Sequence, residues 1–139
     1  MSPVVIWMSR HAPRASQISA LNALYPGVKV LQDPNPFGDA RDIVDRYRKS
    51  GAVDMVIVAP LAVIAELVKL GIRPLWAEME IVPCNDPRAE VFADGNRYRY
   101  TGEERCYRFV RFRRIKEVRL EFDEARPLEV GAETPPNKT

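Results

Sequence analysis

The chain has little of what metal and thiol chemistry needs. It holds one histidine, His11, and two cysteines, Cys84 and Cys106. A lone imidazole among scattered carboxylates has no recognisable ligand spacing, so no metal site is expected. The cysteines form no CxxC pair and are too few for a disulfide framework, and the expectation is two unpaired thiols. No apolar run approaches the roughly 18 residues that a membrane span requires. Met1-Ser2-Pro3 leads into an apolar stretch with no basic start and no signal-type segment. These absences together point to a cytoplasmic protein with no membrane partner. A GxGxxG loop and a Walker pattern are also missing, which argues against ordinary dinucleotide binding and P-loop hydrolysis. No cofactor is expected, and no internal repeat is visible.

What is present fits one domain. A chain of 139 residues can bury roughly two-thirds of its unfolded surface without a staple. Arginine outnumbers lysine and the twelve prolines lie mostly at element ends, a composition shared with thermophilic proteins. The net charge is only +2, but residues 97–116 carry eight basic and two acidic groups. The flanking segments are close to neutral or acidic.

Val4-Val5-Ile6-Trp7-Met8 is an unbroken apolar run rich in β-branched residues, as in a strand buried on both faces. Pro13 suits the first turn of a helix, with Ile18, Leu21 and Leu24 on its inner face and Pro26-Gly27 as its stop. Residues 28–31 form a second strand, followed by the rigid loop Asp33-Pro34-Asn35-Pro36. Asp39 begins a second helix with Ala40, Ile43, Val44 and Tyr47 inward, and Gly51 suits the left-handed position past its end. Residues 55–58 form a third strand. Pro60 opens a third helix, apolar through Leu61, Ile64, Leu67 and Val68, which Gly71 ends. Residues 75–82 form a fourth strand. This alternation predicts an α/β fold: a Rossmann-like parallel sheet of order 2-1-3-4 with helices on both faces. The winding direction changes between strands 1 and 3, and a ligand crevice is expected at their carboxyl ends.

Beyond residue 82 the pattern changes. Residues 90–93 and 97–100 flank Asp94-Gly95-Asn96, a hairpin signal. Residues 106–113 and 115–122 look like two more strands, with Val118, Leu120 and Phe122 on one face. We therefore expect a single α/β domain over residues 1–128. It comprises a Rossmann-like core at 4–82 and an antiparallel extension at 88–123. A disordered tail follows at 129–139.

Ser9-Arg10-His11 follows the first strand directly, at the edge where the crevice opens. Arginine can hold a phosphate through its planar fork, serine can donate to an anion, and histidine can move a proton near neutral pH. Backbone N–H groups at the next helix start add positive potential. The structural alternative is that His11 caps the helix and Arg10 pairs with an acid. Ala59-Pro60-Leu61 makes a similarly tight junction after strand 3. The candidate catalytic pair is thus His11 and Arg10. The candidate ligand-binding set is Ser9, Arg10, Arg14, Asn35, Pro60 and Leu61. Glu78 and Glu80 share a face of strand 4, where carboxylates balance arginines or face solvent more often than they catalyse.

The run 97–114 interleaves aromatics with Arg97, Arg99, Arg108, Arg111, Arg113 and Arg114. Such a strand surface suits RNA or DNA, with phosphates on the arginines and bases on the rings. Alternatively these arginines pair with Glu103, Glu104, Glu117 and Glu121, or the strands serve a protein interface.

The order strand, Ser9-Arg10-His11, helix, and later strand, Ala59-Pro60-Leu61, helix, resembles the small Rossmann-like CRISPR-associated proteins of the ring-nuclease type. The resemblance covers residues 4–82, while residues 90–122 have no counterpart in it. It implies a cyclic oligoadenylate messenger as ligand, in an antiviral setting, cleaved without metal. A ribose 2′-hydroxyl would attack the neighbouring phosphate and leave a 2′,3′-cyclic phosphate. Arg10 or the helix N–H groups would stabilise the phosphorane charge, and His11 would protonate the leaving oxygen. A symmetric ring ligand further implies a homodimer. The non-enzymatic alternatives are a nucleic-acid-binding protein that uses the arginine-rich strands, or an interaction adaptor.

Overall fold

Alternation along the first strand decides how the core divides. In the computed structural model, which describes residues 2–90 and 105–128, β1 (Val4–Met8) is buried almost throughout. Val5 and Trp7 point to one side of the sheet, and Ile6 and Met8 to the other. The second side is covered by α2 (Ala40–Ser50) and α3 (Leu61–Lys69) through Ile43, Val44 and Leu67. The first is covered by α1 (Ala15–Leu24) through Leu21. A fully buried aliphatic side chain of this kind contributes about 1.5–3 kcal/mol.

The strands β2 (Lys29–Gln32), β3 (Asp54–Ile57), β4 (Leu75–Pro83) and β5 (Arg105–Arg114) complete a five-stranded sheet of order β2-β1-β3-β4-β5. The first four strands are parallel, as the alternation of apolar runs and helices requires, and β5 runs antiparallel to β4. The α/β class, the order 2-1-3-4 and the antiparallel extension are therefore as the sequence indicates. Local signals hold as well. Asp39 caps α2 by accepting from the Asp42 N–H at 3.0 Å. Gly51 closes α2 at φ 70°, a conformation costly for a side chain with a Cβ.

Four expectations are corrected. The inner stripe of α1 is Arg14, Gln17 and Leu21, not Ile18, Leu21 and Leu24. Positions i, i+3 and i+7 share one helical face, and the helix is turned so that its polar members are covered while Ile18 and Leu24 stay exposed. Residues 115–122 form no strand. The backbone leaves the sheet after β5, held by the Ile115 N–H donating to the Pro74 carbonyl at 3.0 Å. Cys84 and Cys106 are not unpaired thiols but a disulfide. The antiparallel register sets Val82 opposite Cys106, which brings Cys84, two residues further on, within bonding distance. Finally, neither Glu117 nor Glu121 holds a described arginine of β5: Glu117 pairs with Arg119 instead, Glu103 and Glu104 lie outside the described residues, and Glu78 and Glu80 of the adjacent strand hold Arg108, Arg111 and Arg113.

That last pairing depends on a bulge. Glu78 faces Arg111 and Met79 faces Phe109, which leaves Val110 as an extra residue on β5. The extra residue puts Arg108 and Arg111, three apart, on the same side of the sheet. Arg108 reaches Glu80 at 2.6 Å and Arg111 reaches Glu78 at 2.8 Å. On the other side Phe112 packs edge-on against Trp7 with ring centroids 6.2 Å apart. The hairpin expected at residues 90–100 and the disordered tail expected at 129–139 lie outside the described residues, apart from Glu90.

Candidate functional site

The cleft arises where two parallel strands part. β3 and β4 pair at a single position, Val56 opposite Leu75. β3 then ends and α3 begins, while β4 continues alongside β5 to Pro83. The divergence opens a cavity of about 630 Å³ at the carboxyl ends of β1 and β3, where open α/β sheets bind ligands. Its wall is largely apolar, with both tryptophans of the chain, Trp7 and Trp76, and with Tyr107 and Met79. Among the described residues few polar side chains reach it: Ser9, His11, Arg14 and Gln17. An apolar cleft with a small convergent polar set is the usual form of a small-molecule site.

Arg14 is the unusual member. It is 5% exposed, and arginine is seldom buried so far without good reason. Its backbone N–H donates to Gln17 Oε1 at 2.8 Å, which ties the start of α1 to the buried stripe. Its guanidinium donates to the Met79 sulfur at 3.6 Å, and Glu90 Oε1 lies 3.8 Å away. A thioether is a weak acceptor. Desolvation lowers the arginine's pKa, and the nearby Glu90 charge opposes the shift. Glu90 is itself steadied by the Ser16 hydroxyl at 2.9 Å.

The loop after β1 stands at the mouth. The His11 carbonyl accepts from Trp7 Nε1 at 2.8 Å, and the His11 N–H donates to Ser9 Oγ at 3.2 Å. The loop is thereby folded back on the strand, with the exposed His11 among the residues lining the cavity. Of the sequence candidates, Ser9, His11, Arg14 and Leu61 come together here. Arg10, Asn35 and Pro60 do not line the cavity. Asn35 is occupied in a loop contact: its side chain donates to Asp33 Oδ1 at 3.1 Å, and its carbonyl accepts from Arg46 at 3.1 Å.

Trp7, Gln17, Trp76, Met79 and Tyr107 escaped the sequence reading. A capping-type spacing from Arg14 to Gln17 was the one available signal. Trp76, Met79 and Tyr107 reach the cavity because β4 and β5 swing away from β3. No family model, curated protein or solved structure matches this chain. The reading of the site therefore rests on its own geometry. Among the described residues no three His, Cys, Asp or Glu side chains group as metal ligands would, and no helix is long and apolar enough to cross a membrane.

A second polar cluster sits at the opposite, amino end of the sheet. Asp54, buried at the start of β3, accepts from Arg114 at 2.7 and 2.8 Å and from Tyr25 Oη at 2.7 Å. Arg114 also donates to the Arg73 carbonyl at 2.9 Å. This cluster joins α1, β3 and β5 at a small polar recess of about 170 Å³.

Proposed function

We propose that the carboxyl-edge cleft binds a small ligand with a flat apolar body and an anionic group, of which a nucleotide is the best-fitting class. The buried Arg14 guanidinium, set in a wall of tryptophan, tyrosine and methionine, carries this reading. Aromatic walls suit a base, and a guanidinium in a low-dielectric cleft suits a phosphate. His11 at the mouth stands where it can pass a proton to a departing oxygen. On this reading Arg14, rather than Arg10, is the anion-holding arginine. A cyclic oligoadenylate cleaved without metal is the reaction that the resemblance of residues 4–82 suggests.

Because Trp7 and Trp76 both line the cavity, intrinsic fluorescence reports occupancy directly. Titration with AMP, ATP, cyclic tetra-adenylate and cyclic hexa-adenylate, in chelator, should change the emission for at least one of them. Inorganic phosphate is the control. Arg14→Met should weaken binding by about tenfold or more, the worth of a charge-assisted hydrogen bond, with the far-ultraviolet spectrum unchanged. His11→Ala should retain binding and lose any cleavage. Unaltered emission across the series, or equal affinity of Arg14→Met and wild type, overturns the proposal.

A further inference from the structure

Residues 116–124 carry a strand's pattern without a strand's partner. Val118, Leu120 and Phe122 alternate with Glu117, Arg119, Glu121 and Asp123, which is the period of a half-buried β-strand. Yet these residues have no regular secondary structure. Beyond Lys116 no backbone hydrogen bond ties the segment to the other described residues. Leu120 is 44% exposed and Phe122 is 85% exposed. A local preference left unmet by the monomer, with Leu120 and Phe122 in solvent, marks an interaction surface.

We infer that the segment pairs antiparallel with the same segment of a second copy, about a two-fold axis through Leu120. The charges select this occupant and this register. Centred on Leu120, the pairing sets Leu120 against itself and Val118 against Phe122. It sets Arg119 against Glu121 and Lys116 against Glu124, each twice by symmetry. Glu117 faces Asp123, but Glu117 already bonds Arg119 of its own chain at 2.6 Å. Centring on Arg119 instead leaves no opposite pair in the segment and sets Arg119 against itself and Glu117 against Glu121, while centring on Glu121 leaves one kind of opposite pair, Arg119 against Asp123, and sets Glu121 against itself; the Leu120 register has the most opposite pairs. An isologous contact of this kind is closed and self-complementary. It also has a consequence for the cleft. Val118 lines the cavity, so the partner's Phe122, facing it, extends the apolar wall at the mouth.

Charge reversal tests the pairing without disturbing the core, since every residue involved is at the surface. Sedimentation of the full chain at micromolar concentration should show a dimer. Arg119→Glu alone and Glu121→Arg alone should each raise the dimer dissociation constant by about tenfold or more, since both symmetry-related pairs become repulsive. Mixing the two variants should restore a dimer, because both pairs between positions 119 and 121 are then opposite in sign. Phe122→Asp should give a monomer with the wild-type melting profile. A monomeric wild type overturns the inference. So does a dimer indifferent to Phe122→Asp, or single variants that do not recover on mixing. None of these readouts involves a ligand, so they stand or fall separately from the nucleotide proposal.

Discussion

Asp54 shows how one buried carboxylate ties three elements. Burial alone raises its pKa, but the hydrogen bonds from Arg114, Tyr25 and the Met55 N–H, with the Arg114 charge, outweigh burial and hold it below the usual value. A carboxyl more acidic in the folded chain stabilises the fold above its unfolded value, about 4. That stability is lost as the pH falls through the lower folded value. Acid unfolding of the wild type should therefore show a loss of stability below about pH 4 that Asp54→Asn lacks. Arg114→Leu leaves the carboxylate buried without its cation and should cost about 2–3 kcal/mol in urea unfolding near neutral pH; half-exposure of Arg114 keeps this below the full cost of breaking a buried pair. A loss below 0.5 kcal/mol, roughly a surface substitution's effect, would show that water replaces the guanidinium freely. The sequence shows Asp54 only as a polar residue ahead of an apolar run. Its partners lie 29 and 60 residues away, a separation that no local pattern reports.

At the scale of elements, the β4–β5 ribbon organises the molecule's less regular half. The disulfide joins the two strands at the end where β4 finishes and β5 starts, across a separation of 22 residues. Closing a loop of that length removes about 3 kcal/mol of chain entropy from the unfolded state. Thiol titration of the denatured protein should find no free thiol before reduction and two after it. Reduction should lower the unfolding free energy by about 2–4 kcal/mol, measured as a shift in denaturant midpoint. Two titratable thiols in the unreduced protein would refute the pairing. The expectation of free thiols failed because cysteine counting considers spacing along the chain, whereas the register of two strands decides which thiols meet. The disulfide also removes free thiols as a reason for assigning a compartment. The helices were more legible than the ribbon: apolar period, a capping aspartate and a terminal glycine are local devices. The exception was α1, whose buried stripe contains an arginine and a glutamine.

At the scale of the whole molecule, the described arginine side chains of β5 find their counter-charges on β3 and β4. The basic segment looked like a nucleic-acid surface, but Arg108, Arg111 and Arg113 each have a β4 carboxylate within 3.6 Å. Exposed pairs of this kind add little stability, but they lower the positive potential a polynucleotide would meet. Retention on single-stranded RNA should accordingly be weak and should not fall appreciably when Arg111 and Arg113 are replaced by glutamine. Tight binding that those replacements abolish, with a steep salt slope, would favour the nucleic-acid reading. The cleft likewise belongs to the whole molecule. Its wall draws on β1, α1, α3, β4, β5 and the chain beyond β5, and it exists because β4 leaves β3 after one paired residue.

Strand order, parallel direction and the edge at which a ligand would enter follow from the sequence alone. They depend on hydrophobic period and on the handedness of strand–helix–strand crossovers, both written within short stretches of chain. Tertiary structure alone decided that Arg14 rather than Arg10 reaches the cavity, that the cysteines are joined, and that Glu78 and Glu80 absorb Arg108, Arg111 and Arg113. These outcomes turn on strand divergence, on one bulged residue and on helix rotation. Each displaces side chains by a few ångströms through contacts between residues far apart in the sequence.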